Sequence, residues 1–142
     1  MLKDVSNRAD IEEIVAAFYD AVLKDPIIGF IFTDIAKIDL ESHLPIIVNF
    51  WSDSLFRGQS YDGNPLRKHL EISQQLPLKP GHFTRWLFLF DKTVDSLFSG
   101  ENANNMKQRA EMVAKSFSAA ITDQKRRDMN LTLPKKATEI KF

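Results

Sequence analysis

The sequence predicts an all-α protein, because apolar residues recur at helical spacing in four long segments and no segment alternates as a β-strand does. The chain has 142 residues, which fits one domain large enough to bury a core. Hydrophobic residues make up 44% of it and include 11 phenylalanines, an aromatic excess that needs an explanation. We expect one helical domain over residues 1–125 and a polar, loosely ordered tail over residues 126–142.

The first two predicted helices are joined by a short aromatic corner. Asp10 stands three residues before a glutamate, which is the spacing of a capping box, and an apolar stripe follows over residues 11–23. The letters "IIGFIFTD" predict a corner with a turn of helix. A second stripe covers residues 40–55, and Pro45 falls near its start, where a missing N–H costs least.

The second half of the chain predicts a short helix between two loops, followed by two long helices. Asn64 precedes a proline and is expected to cap the short helix, which carries His69. The third stripe covers residues 83–98 and is closed by Gly100, and the fourth covers residues 106–121. Because a short helix does not stabilise itself, either packing or a bound group must hold the segment around His69.

Charge and cysteine content exclude several classes of protein. Lys and Arg together number 19, and Asp and Glu together also number 19, so the net charge is zero. We therefore expect no nucleic-acid partner and no adhesion to anionic membranes. The sequence contains no cysteine, which excludes disulfides and thiolate metal sites and is consistent with a cytoplasmic protein. The first ten residues contain no apolar run, so we expect no signal peptide, and no stretch has the length of a membrane span.

The three histidines favour haem over zinc. They show neither the HxxxH nor the HExxH spacing of a zinc site, and His82, at a predicted helix start, is interpreted as exposed and without a role. Haem requires one axial imidazole, an apolar slot between helices, aromatic walls and a few polar groups opposite the imidazole. The aromatic excess fits that list, although a plain helical bundle with an aromatic core remains an alternative.

Four segments, in order, carry a resemblance to a known family. They read "AAFYDAVLKDPIIGFIF", "HLPIIVNFWSDSLFRG", "YDGNPLRKHL" and "FTRWLFLFDKTVDSLFSG". In these segments the chain resembles the truncated (two-over-two) haemoglobins, and within them the third group. The other two groups usually carry diglycine motifs, and this sequence has no Gly-Gly pair. The resemblance implies a globin-like two-over-two sandwich of helices.

The resemblance also implies a haem-iron ligand and a polar pocket opposite it. His69 would be the proximal ligand to the iron of haem b, which is iron protoporphyrin IX. Tyr19, His43 and Trp86 would line the distal face, where oxygen or another small diatomic ligand binds and where chemistry on that ligand would take place.

Five further positions are predicted to contact the haem. The resemblance places Phe32 against the macrocycle, at the corner after the first long helix, and it assigns Phe18 and Ile47 to the apolar distal wall. Arg67 and Lys68 precede the predicted iron ligand, where a cation would pair with a haem propionate.

The polar distal face favours chemistry on bound oxygen over its transport. Hydrogen-bond donors stabilise the partial negative charge on bound oxygen, whereas a carrier must release its oxygen readily. We therefore expect redox chemistry on oxygen, nitric oxide or peroxide, in a monomer served by a reductase, although the sequence does not decide whether the protein is an enzyme. A gas sensor or ligand buffer without turnover and a cofactor-free helical binding domain are the alternatives.

Overall fold

Four α-helices and one π-helical turn form the part of the chain that the structure describes, which is residues 1–35, 39–56 and 78–132 of a computed structural model. No β-strand occurs within these residues, as the all-α prediction requires. The elements are α1 (Arg8–Leu23), the π-helical turn (Ile31–Ile35), α2 (Leu40–Phe56), α3 (Pro80–Leu97) and α4 (Glu101–Thr132). The predicted short helix around His69 lies outside the described residues.

Helix α1 begins earlier than its capping-box pattern predicts. Its N-cap is Asn7, whose side-chain oxygen accepts a hydrogen bond from the amide of Asp10 at 3.0 Å. Asp10 therefore occupies the third helical position, and its carboxylate accepts from the Ser6 amide at 2.9 Å. The predicted start at Asp10 was wrong because Asn7 is an equally suitable cap and also has an acceptor three residues downstream.

The corner after α1 turns tightly enough to require a glycine. The Gly29 amide donates to the carbonyl of Asp25 at 3.0 Å. A β-carbon at Gly29 would lie 2.9 Å from the carbonyl oxygen of Leu23, so the corner backbone presses on the end of α1. The π-helical turn follows directly and contains Phe32. π-Helical segments are rare and frequently occur at functional sites.

Helices α2 and α3 each differ from the prediction at one residue. Pro45 lies inside α2, beyond its first turn, so it cannot donate to the carbonyl of Glu41, and its predicted low cost was wrong. His82 is half-buried rather than exposed, and its Nδ1 accepts from the amide of Lys79 at 3.0 Å. The imidazole therefore satisfies an amide just ahead of α3, which is a structural role that the sequence interpretation missed.

The N-terminal arm, residues 1–7, caps α4. The Asp4 carboxylate accepts from the amides of Asn102 and Ala103, each at 2.9 Å. The connection from α3 to α4 passes through Gly100 with φ at +148°, and a β-carbon there would collide with the Asp4 side chain. Asp4 thus supplies the acceptors that the first turn of α4 lacks, although it lies 98 positions before Asn102 in the chain.

Helix α4 continues past the predicted end of the domain at residue 125. It reaches Thr132, through a polar stretch that contains Gln124, Arg126 and Arg127. These residue types have high intrinsic helix propensity, so a helix forms there without an apolar stripe. Sequence periodicity detects only helices with a buried face, which is why the extension was missed.

The helices pack as two pairs. Helix α1 packs against α2, and α3 packs against α4, while α1 also contacts α3 and α2 contacts α4. Ile14, Val48, Phe90 and Met106, one from each helix, are all buried where the pairs meet. This arrangement confirms the predicted two-over-two sandwich. None of the helices in the described residues is both long and apolar enough to cross a membrane.

Candidate functional site

Tyr19 and His43 meet across the contact between α1 and α2. The Tyr19 hydroxyl lies 2.9 Å from Nε2 of His43, and the two rings are edge-on with centroids 5.3 Å apart. Burial raises the pKa of the Tyr19 phenol, so it keeps its proton at neutral pH. The phenol donates to Nε2 when that nitrogen carries no hydrogen, and accepts from it when it does.

His43 is set on α2 with its imidazole only partly covered. Its amide donates to the carbonyl of Asp39 at 2.9 Å, which fixes the first turn of the helix. The side chain is half-buried, as is that of Ile47 one turn further on. The face of α2 that carries both residues is therefore turned toward Tyr19, but the core leaves part of it exposed.

Phe32 reaches the same cluster from the corner. Its ring stands edge-on to that of Tyr19, with centroids 5.9 Å apart and an interplanar angle of 81°. The side chain is half-buried and packs against the core. The π-helical turn thus places an aromatic ring beside the tyrosine that contacts His43.

Trp86 joins the cluster from α3. Its ring is edge-on to Phe18, with centroids 5.6 Å apart, and is stacked on Phe90 at the same separation with an interplanar angle of 13°. Phe18 in turn lies edge-on to Tyr19 at 5.4 Å. The half-buried Trp86 is therefore separated from Tyr19 by a single ring.

The structure brings six of the nine predicted site residues into one region: Phe18, Tyr19, Phe32, His43, Ile47 and Trp86. Phe18 is buried, and three aromatic rings contact its side chain. The other three, Arg67, Lys68 and His69, lie outside the described residues. Their predicted roles remain predictions.

Phe90 lies within the third predicted apolar stripe, and its ring is central to the support of this region. It stacks on Trp51 with centroids 5.0 Å apart and an interplanar angle of 21°, besides its contacts with Trp86 and Phe18. Offset-stacked and edge-on aromatic contacts stabilise a core beyond the area that they bury. Helical spacing indicated that Phe90 is buried, but not that it connects the two tryptophans.

An ion pair that the sequence did not indicate lies beside the cluster. The Asp25 carboxylate, just after α1, accepts from Nε and Nη2 of Arg85 at 2.9 and 2.6 Å. Arg85 immediately precedes Trp86 on α3. No sequence signal pairs these residues, because they are 60 positions apart and an aspartate before a proline is typical of a turn.

The polar side chains of the cluster do not form a site for a bare metal ion. The described residues contain no group of three or more His, Cys, Asp or Glu side chains that could hold such an ion. The polar groups of the cluster are a phenol, an imidazole and an indole, and two half-buried apolar side chains accompany them: Phe32 beside Tyr19, and Ile47 one turn after His43. Incompletely covered apolar walls with a few polar groups are typical of a pocket for a large apolar cofactor.

The chain is similar to a known protein in both sequence and structure. No model of a protein family matches the sequence. The group 3 truncated hemoglobin of Campylobacter jejuni is 35% identical over 114 residues, which cover 78% of this chain and 87% of that protein. The crystal structure of the group III truncated hemoglobin from Campylobacter jejuni superposes with a TM-score of 0.75 at 32% identity, covering 85% of this chain and 95% of that one. Sequence and helix arrangement agree over most of both proteins, and the chain therefore belongs to the group III truncated haemoglobins.

Proposed function

We propose that the protein binds haem b between its helix pairs and performs redox chemistry on oxygen, nitric oxide or peroxide at the face lined by Tyr19, His43 and Trp86. Membership of the family implies a haem cofactor and a small gaseous ligand. The observation that carries the finer proposal is the 2.9 Å contact between Tyr19 and His43, because it places a proton donor and a proton-exchanging group together.

The residues of the cluster fit a haem group on chemical grounds. Phe32 presents an aromatic ring at the corner, and Ile47 adds an apolar side chain from α2. His69 would supply the axial imidazole, and Arg67 or Lys68 would pair with the propionates. Bound haem would supply an iron that binds small ligands and exchanges electrons.

The distal side chains would hold and move protons at the ligand. Tyr19 keeps its phenol protonated because burial raises its pKa, so it remains a donor at neutral pH. Imidazole is the side chain that exchanges a proton most readily near neutral pH, and Nε2 of His43 is directly against the phenol. The indole N–H of Trp86, which is half-buried on α3, would be a third donor to the ligand. Three donors would slow the release of oxygen, which favours chemistry over transport.

Absorption spectroscopy of the purified full-length protein tests haem binding. We expect a strong band in the near ultraviolet and blue, which shifts on reduction and again with carbon monoxide. A pyridine haemochrome measurement gives the haem type and the haem content per chain. A protein that takes up no haem would instead be the cofactor-free helical domain.

The axial ligand and the reaction are tested separately. His69→Ala should lose most of the haem, whereas the matched variant His43→Ala should retain it. Full retention by His69→Ala, with no replacement ligand shown spectroscopically, would refute the assignment. Steady consumption of nitric oxide or peroxide with a reductase supports redox chemistry, and stable ligand binding without turnover would identify a sensor or ligand buffer. We further propose a cytoplasmic monomer, which gel filtration and cell fractionation test.

A further inference from the structure

One buried carboxylate ties the corner to helix α3. The side chain of Asp25 is only 2% exposed. Its Oδ1 accepts both nitrogens of Arg85, and its Oδ2 accepts the amides of Ile27 and Ile28 at 3.0 Å each. Every acceptor direction of the carboxylate is thus turned either toward the corner or toward α3.

The corner that Asp25 holds leads directly to the pocket. Asp25 lies along the chain between Tyr19 on α1 and Phe32 in the π-helical turn. Its carbonyl also accepts from Gly29, so both its backbone and its side chain shape the corner. The path of the chain from Asp25 therefore determines where the Phe32 ring meets Tyr19.

The other end of the ion pair acts on Trp86. Neighbouring residues of a helix share a rigid backbone. The ion pair that holds Arg85 therefore also fixes how that part of α3 is rotated about its axis and placed along it. Trp86 contacts Phe18 edge-on at 5.6 Å, and Phe18 adjoins Tyr19. A small movement of this part of α3 therefore changes the gap between Trp86 and Tyr19.

We propose that Asp25 and Arg85 are positioning residues of the distal pocket, whose ion pair sets the distance between the indole of Trp86 and the phenol of Tyr19. This role rests on the proposed function insofar as the two side chains face a bound ligand. The pair remains ionised at neutral pH, because the hydrogen bonds from Arg85 lower the pKa of Asp25. Nε and Nη2 of Arg85 both donate to the single oxygen Oδ1, so the edge of the guanidinium is directed at that oxygen.

Asp10 provides a matched control at the other end of α1. Counted over the whole residue, its exposed fraction of 6% is close to the 7% of Asp25, and the side chains are 8% and 2% exposed. Its carboxylate likewise accepts from a cation, Lys3, at 3.0 and 3.1 Å, and from the Ser6 amide. Asp10 and Tyr19 are separated by about 13 Å along the helix, so the loss of the Asp10 contacts should destabilise the fold without moving the pocket.

The test compares Asp25→Asn, Arg85→Lys and Asp10→Asn in the full-length protein, loaded with haem and carbon monoxide where haem binds. The chain contains two tryptophans, so the indole N–H region of an NMR spectrum has two signals, which Trp51→Phe assigns. The Trp86 signal should move in the first two variants and stay in the third, with Trp51 as the internal reference. Oxygen should leave the first two about three- to tenfold faster than it leaves the wild type.

The two measurements separate this proposal from the proposed function. A chain that binds no haem gives no oxygen signal and refutes the function, while the indole spectrum still decides the positioning role. If the Trp86 signal does not move in Asp25→Asn and Arg85→Lys while the unfolding midpoint falls, the pair only stabilises the fold and the positioning role is refuted. An equal movement in Asp10→Asn would likewise overturn the proposal. If Asp25→Asn does not fold, Arg85→Lys, which keeps the positive charge, decides alone.

Discussion

The phenol of Tyr19 and the imidazole of His43 contact each other at 2.9 Å although they belong to different helices. The contact depends on the packing of α1 against α2, because each side chain leaves its own helix toward the other. Tyr19 is buried and His43 is half-buried, so the contact joins a covered phenol to a partly accessible imidazole. The cluster is thus polar where α1 meets α2, with the aromatic ring of Phe32 beside that point.

Replacing Tyr19 or Trp86 by Phe should speed the release of oxygen. Each change removes a donor and keeps an aromatic ring. A hydrogen bond to a charged group contributes about 1.5–3 kcal/mol, and each 1.4 kcal/mol is about tenfold. Oxygen dissociation, measured by stopped flow from the reduced protein, should accelerate roughly ten- to a hundredfold.

Carbon monoxide is the internal control for that experiment, because it carries less negative charge when bound and its release should change much less. The two residues adjoin the same ring, Phe18, so a double-mutant cycle should show non-additive effects. Unchanged oxygen release in both single variants would mean that neither side chain donates to the ligand. Rapid release by the wild type would instead support a carrier.

The four long helices could be predicted from the sequence, because each buries one face and therefore carries an apolar stripe. Their ends were less predictable. Asn7 and Asp10 are both good caps, and only the contact between the Asn7 side chain and the Asp10 amide decides between them. The polar end of α4 has no stripe, so its helical continuation to Thr132 had no periodic signal.

The cluster of Tyr19, His43 and Trp86 was predictable only through the family resemblance. Composition indicated that aromatic residues are unusually frequent, but Tyr19, His43 and Trp86 lie on three helices, and no local pattern brings them together. The pairing of Asp25 with Arg85 had no sequence signal at all, because long-range ion pairs depend on the helix arrangement. A single sequence shows which faces are buried, but not which side chains meet across them.

Phe90→Ala should strongly destabilise the fold, since Phe90 is buried and contacts Phe18, Trp51 and Trp86. Truncation of a buried Phe costs about 3–5 kcal/mol in the free energy of unfolding. The matched control is Phe88→Ala, because Phe88 is 52% exposed. Its remaining contacts, with the cations of Arg85 and Lys92, are worth about 0.5–1 kcal/mol at an exposed site.

Urea denaturation of both variants measures the difference. Equal losses would show that the stack around Phe90 contributes no more than an exposed ring does. If Phe90→Ala does not fold, Phe90→Leu should give a smaller loss in the same direction.

Gly29→Ala and Gly81→Ala should have opposite consequences. A β-carbon at Gly29 would lie 2.9 and 3.0 Å from the carbonyl oxygens of Leu23 and Val22, which are backbone atoms that cannot swing aside. Forced crowding of this kind costs about 1–3 kcal/mol. A β-carbon at Gly81 meets nothing within 4 Å, and alanine restricts the unfolded chain, so stability should rise by about 0.4–1 kcal/mol. Thermal and urea unfolding give both values, and a neutral Gly29→Ala would show that the corner relaxes freely.

The response to acid should depend on Asp4. Burial alone would raise the pKa of its carboxyl, but hydrogen bonds from Asn102, Ala103 and neighbouring amides outweigh that effect and lower the pKa below 3.8. A lowered folded-state pKa gives stability that is fully present above the unfolded value and is lost as pH falls through the folded value. Asp4→Asn should therefore cost about 1 kcal/mol at pH 7, as the loss of a helix cap does, and should flatten the loss of stability below about pH 4.

Asp91 provides a control for the acid response, because its pKa is shifted in the opposite direction from that of Asp4. Burial raises the pKa of its carboxyl, and its Oδ1 has no hydrogen-bond partner among the described residues. A raised folded-state pKa means that the charged form destabilises the fold at neutral pH, and that this cost is relieved as pH falls through the folded value. Asp91→Asn should therefore preserve or increase stability at pH 7, where Asp4→Asn lowers it. Urea unfolding of the wild type and both variants at a series of pH values from 7 to 2 measures these slopes, and parallel curves for Asp4→Asn and the wild type would show that the cap does not control acid stability.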